Sequence, residues 1–261
     1  MALVGSASAA FDPADYTYSE DFFVNSTTAQ TNYQVKMILS NATDYSATSP
    51  WYTNGTTRDD WLDVAWTDTS NNLLPFWPET ASYTITNSSW WINVSSIAND
   101  NTTEIRVHYG DADAAESYAD GEKTFIFIDD FPGISLNGTK WTLQDAPTIT
   151  VSNGILAVYH STATWGGINS TMLFSPYNIS LMALVKYGPE SMFGFSNTFP
   201  VMHTGADSIL FIDYLNNAES WFRTINNGVI KGTVQNNETT YFHKEQLFWI
   251  SPTSAKYSRD D

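Results

Sequence analysis

"TEIRVHYG", residues 103–110, sets Ile105, Val107 and Tyr109 against Glu104, Arg106 and His108. A period of two sends alternate side chains to opposite faces, so this stretch is a strand with one apolar face and one wet face. "NYQVKMILS", residues 32–40, repeats the pattern with Tyr33, Val35, Met37 and Leu39. "GILAVYH" (154–160) and "SLMALVKYG" (180–188) behave alike, punctuated by Asn-Gly and Gly-Pro. The last residues read as a strand over 246–250, a Ser-Pro-Thr turn and a strand over 255–259. No stretch of a dozen residues keeps helical spacing. The best helical candidate, "DADAAESYAD" (111–120), amounts to one or two turns in a connection. The fold class is all-β.

Charge narrows the partners. The chain carries 28 Asp and Glu against 11 Lys and Arg, a formal net charge of −17. The acids are ordinary in number and the bases scarce. A surface this poor in cations cannot neutralise phosphates, which excludes nucleic acid and anionic membranes as natural partners. Neutral polar residues take the place of the cations: 21 Asn, 27 Ser and 31 Thr. Among them stand ten Asn-x-Ser/Thr acceptors, at Asn25, Asn41, Asn54, Asn87, Asn93, Asn101, Asn137, Asn169, Asn178 and Asn237. Random placement of this composition yields about half as many, so the excess points to a glycosylated, exported protein. Turn chemistry in an Asn- and Thr-rich β protein is the alternative source of the same pattern. Cysteine is absent, and a chain of this length can rely on its core alone. No apolar run is long enough to span a bilayer as a helix. The opening "MALVGSASAA" reads as the tail of a secretory signal or as a flexible lead over residues 1–18. The expected location is extracellular, at the cell surface.

The pattern of motifs changes near Asp120-Gly121, so two modules are expected. "WLDVAWTDTSNNLLPFWPE", "WWINVSSIANDNTTEIRVHYGDADA" and "FIFIDDFPG" together resemble the family called domain of unknown function 2341. The resemblance rests on an aspartate-bearing turn, an apolar "LLPFW" element and a strand ending in "YG", over residues 19–122. It implies a surface β-sandwich of bacterial or archaeal envelope proteins, with no enzymatic activity. Residues 123–261 resemble the concanavalin A-like or laminin G-like jelly roll, through "DDF", "KW", "VSNGILAVYHS" and "WGGINSTMLFSPYNISLMALVK". In that module "DDF" opens the first strand. Further strands would close the sandwich after the last residue, so the second module is expected to lack its C-terminal strands.

Asp129 and Asp130 interrupt the apolar run 125–128, which reads as a buried strand. They are the candidates for a structural calcium, because calcium takes oxygen ligands and the resemblance implies such a site near the first strand. Otherwise they mark a domain junction. No organic cofactor is expected. Catalysis by paired carboxyls would need two acids about 5 Å apart. The nearest look-alike, Asp111, Asp113 and Glu116, reads as a solvated turn. The four histidines, His108, His160, His203 and His243, are scattered, and neither a nucleophile elbow nor a His-Glu-x-x-His pair occurs. Sugars stack on aromatic rings beside amides and carboxylates. The glycan-binding candidates are therefore Tyr159, Trp165 and Asn169, with Asp213 and Trp221 from "DYLNNAESWFRT". Core packing is the competing role for both tryptophans. The expected function is a noncatalytic extracellular module in adhesion or surface architecture, with glycans or other surface proteins as partners. A lectin-like module is the alternative, and a glycoside hydrolase stands behind both.

Overall fold

The computed structural model describes residues 10–41, 53, 55–79, 87–100, 102–114, 117–159, 167–174, 179–186, 192–196, 208–214, 219–226, 229–236, 243–251 and 254–260. The chain is all-β and antiparallel, and it divides into two compact units, Met1–Asp129 and Asp130–Asp261.

In the first unit a single 3-10 turn, Pro13–Asp15, precedes strands β1 (Tyr18–Val24), β2 (Gln30–Ser40), β3 (Ala65–Asp68), β4 (Phe76–Pro78), β5 (Asn87–Ile97) and β6 (Thr103–Tyr109). They form two three-stranded sheets, ordered β1-β6-β3 and β2-β5-β4. The core is the apolar face of each. Trp66, Ile105 and Val107 come from the first sheet, and Leu39, Phe76, Trp90, Ile92 and Val94 from the second. The indole of Trp90 lies 5.8 Å from the ring of Phe76 and 6.5 Å from that of Trp61, which joins the core from the loop before β3. Burying side chains of this size contributes on the order of 2–3 kcal/mol each, the main favourable term in a sandwich without disulfides.

The loops are organised by side chains that mimic backbone acceptors. After β3 the Asp68 carboxylate accepts from Ser70 N at 2.8 Å, Asn72 N at 2.9 Å and Asn72 Nδ2 at 2.8 Å, while Asn71 takes a φ of 62°. This "TD" turn brings Leu74 N back onto Trp66 O at 2.8 Å.

The run 125–128 is not a strand. Asp120 caps a four-residue helix, α1 (Gly121–Thr124), its carboxylate accepting from Lys123 N. Phe125 ends the helix and sets its ring 6.0 Å from that of Trp91, edge to face. Phe125 on Trp91 and Ile128 beside Gly121 lie along the outer face of the β2-β5-β4 sheet while Ile126 stays exposed, an arrangement no alternation could reveal. A Cβ on Gly121 would lie 2.9 Å from Ile128 Cδ1 and 3.0 Å from Trp77 Cε3, so glycine is what lets the helix sit this close. The boundary read from sequence at 122/123 falls inside α1, and the contact-defined division falls at 129/130. Residues 111–114 form a turn, and the helix comes one step later than "DADAAESYAD" implied.

The second unit holds β7 (Trp141–Gln144), β8 (Thr148–Ser152), β9 (Ile155–Tyr159), β10 (Gly167–Ser170), β11 (Ile179–Val185), β12 (Met192–Ser196), β13 (Ser208–Tyr214), β14 (Glu219–Asn226), β15 (Val229–Asn236), β16 (His243–Ser251) and β17 (Ser254–Asp260). Its sheets are β10-β7, β8-β9, β11-β16-β17 and the meander β12-β13-β14-β15. Asn153 and Gly154, at φ of 52° and 74°, make the two-residue hairpin between β8 and β9 that the Asn-Gly pair predicts. "DDF" does not open a strand: β7 is the unit's first strand, and Phe131, at a φ of 50°, stacks on Trp141 at 6.1 Å.

Candidate functional site

Two polar constellations stand out in the first unit. The first is built on Asp63, a fully buried carboxylate between Leu62 and Val64. Its Oδ1 accepts from Arg58 N at 3.1 Å, and its Oδ2 accepts from Arg58 N at 3.2 Å and Gly110 N at 3.0 Å. Gly110 closes the "YG" strand end with a φ of 84°. Burial pushes the Asp63 carboxyl above its ordinary range, and the two amides oppose that shift. Arg58 completes the clamp. Its Nη1 donates to Ala114 O at 2.7 Å and Ala112 O at 3.3 Å, and Nε and Nη2 form a fork on Asp60. Asp111 receives Asp113 N at 2.9 Å. The loop before β3 and the loop after β6 are thus cinched together around one carboxylate.

Beside this clamp lies His108, on the face of β6 that the alternation assigns to water. It is buried all the same. Phe11 packs on it at 5.4 Å and Tyr16 at 5.7 Å, Tyr118 packs on Phe11 at 5.7 Å, and Thr67 Oγ1 lies 3.0 Å from Nε2. Burial first, and then Arg106, lower the pKa of His108 below its usual value, so the ring is neutral near pH 7. Burial, followed by Tyr118 and Asp111, holds the Tyr16 hydroxyl well above the phenol range. The chemistry of this cluster is that of a neutral imidazole held in an aromatic shell.

The second constellation is the outer face of the β2-β5-β4 sheet. Lys36, Trp91 and Trp77 form one row across it. Lys36 Nζ stands 5.7 Å from the Trp91 ring centre and 3.5 Å from Glu79 Oε1, and Trp91 Nε1 donates to the same carboxylate. One step along, Asn93 Nδ2 donates to Lys123 O at 2.9 Å and Gln34 Nε2 to Thr124 O at 3.1 Å, which seats α1. Aromatics beside amides and a carboxylate are the ingredients of a sugar platform, and here they hold a cation and a helix.

Of the residues singled out in the sequence, Tyr159 ends β9 and is exposed, and Asn169 lies in β10 opposite Thr142. The strands β9 and β10 approach each other. Asp213 lies opposite Ser220, and Trp221 opposite Ile212, on the neighbouring strands β13 and β14. Trp165, Asn54, Asn101, Asn178 and Asn237 lie outside the described residues. Asp129 and Asp130 occupy the coil between α1 and β7, half-buried and exposed respectively. Among the described residues, no group of three or more His, Cys, Asp or Glu is placed to hold a metal. The sequence reading missed Asp63, Arg58 and the aromatic cover of His108. The signal available was an acid flanked by Leu62 and Val64 within "WLDVAW", a poor place for a charge unless main-chain donors meet it.

One comparison bears on the first unit. Residues 60–144 match the family model described as "Domain of unknown function (DUF2341)". The match takes in Asp63 and Gly110 of the clamp but not Arg58, together with the "TD" turn and α1, and runs on to β7. No family model confirms the concanavalin A-like module. No curated protein and no solved structure matches the chain.

Proposed function

We propose that the chain is a noncatalytic extracellular module of a cell-surface or envelope protein, working in adhesion or surface architecture. The observation that carries this reading is the use made of the charged groups in the first unit. Asp63 holds Arg58 N and Gly110 N, Arg58 holds two carbonyls, Asp68 holds a turn and Asp120 caps a helix. Groups committed to main-chain amides and carbonyls hold loops in place, which is what a display scaffold requires. The scarcity of bases and the abundance of Asn, Ser and Thr support an exported surface.

A lectin-like role is the second reading. It is favoured by Tyr159, exposed on β9 near the strand that carries Asn169. A glycan array and a polysaccharide-turnover assay on the purified chain separate the readings. The architectural role predicts neither capture nor turnover. Capture of a defined glycan, lost in Tyr159→Ala, would replace it with the lectin role, and reproducible turnover would overturn both.

A further inference from the structure

Four of the described sequons, Asn25, Asn41, Asn93 and Asn137, differ in how the fold uses their amides. At Asn41 the amide is built into the loop that follows β2: Nδ2 donates to Thr57 O at 2.8 Å, and Oδ1 accepts from Thr53 Oγ1 at 2.7 Å and Thr57 N at 3.1 Å. At Asn93 the amide lies in the middle of β5 with α1 seated on its Nδ2, and its Oδ1 is buried without a partner among the described residues. Asn137 is the reverse case. It is exposed, on the turn that leads into β7, with only its oxygen engaged: Oδ1 accepts from Thr139 N at 3.0 Å and Thr139 Oγ1 at 2.8 Å. Its nitrogen has no partner among the described residues. Asn25 is exposed in the loop between β1 and β2. It lines an open, neutral hollow of about 230 Å³ with Ser26, Thr27 and Asn99.

We infer that Asn137 and Asn25 are the N-glycan acceptors among these four sequons, and that Asn41 and Asn93 stay bare because the fold uses their amides. The donor class is an oligosaccharide carried on a lipid phosphate. Nδ2 bonds to the anomeric carbon, the bond from that carbon to the phosphate oxygen breaks, the lipid phosphate leaves with the electron pair, and the amide gives up one proton. The nitrogen must therefore be reachable and must accept a bulky substituent. At Asn93 that substituent would displace the carbonyl of Lys123 and lift α1 from its sheet; at Asn137 it enters solvent.

The inference rests on the export reading above, so location and occupancy are read together. The full chain is isolated from the cells that produce it, fractionated, and digested for intact-glycopeptide mass spectrometry. Occupancy at Asn137 and Asn25, with unmodified peptides at Asn41 and Asn93, is the expected result. Asn137→Gln and Asn25→Gln should each remove one glycan mass from the intact protein. A glycan on Asn41 or Asn93 in folded protein overturns the inference. So does a surface-exposed protein bare at Asn137 and Asn25, which leaves the export reading standing. A protein found bare and inside the cell overturns both.

Discussion

At the scale of single residues, Asp63 is the most consequential side chain of the first unit. It is a buried carboxylate whose partners are two main-chain amides. Asp63→Ala would leave both N–H groups without an acceptor, at about 1–3 kcal/mol each, so a loss of about 2–6 kcal/mol in chemical denaturation is expected. Asp63→Asn keeps one acceptor and should lose less. An unchanged denaturation midpoint in the alanine variant would show that the clamp does not hold the loops. Asp21 works in the other direction on the outer face of β1. The Arg106 guanidinium, with bonds of 2.6 and 2.9 Å, holds its carboxyl below the ordinary 3.8. A depressed acid contributes stability that is present above its unfolded value and is lost as pH falls through its folded one. Asp63, raised, contributes a term that is full below 3.8 and lost as pH rises through its folded value. The gap in melting temperature between the parent chain and Asp21→Asn should therefore be open near neutral pH and close in acid. Because the pair is partly exposed the gap is small, and high salt should narrow it. A gap that widens in acid would contradict the assignment.

At the scale of elements, the alternation that defines β2 and β6 is visible in the sequence because their sheets have one face in the core and one outside. The Asn153-Gly154 hairpin is equally legible, since an Asn-Gly pair supplies two left-handed positions cheaply. The run 125–128 is different. Four apolar residues in a row fit a buried strand or a coil lying on an aromatic face, and what decides is Trp77 and Trp91, over thirty residues away. His108 misled for the same reason: its cover comes from residues 11, 16 and 118, which no local window contains. That cover is testable. Phe11→Ala removes the ring 5.4 Å from the imidazole and lets water in, so the pKa of His108 should move up toward 6.5 in a histidine NMR titration. An unshifted titration would show that Phe11 does not shield it.

At the scale of the whole molecule, the core built on Leu39, Trp61, Trp66, Phe76, Trp90 and Ile92 lies entirely within Met1–Asp129. Residues 10–129 made alone should keep a cooperative melt and the near-ultraviolet signal of their buried tryptophans, with a midpoint within about 4 °C of the same transition in the full chain. Loss of that transition would mean that the core depends on the second unit. A module with few cations, a neutral-polar surface and accessible sequons is read as standing outside the cell. The most direct measurement is amine labelling of intact producing cells with a membrane-impermeant reagent, followed by peptide mapping. Lys123 is the reporter, its side chain 74% exposed. Lys123 should be modified in intact cells as fully as in a lysate; modification that appears only after lysis would contradict an external location.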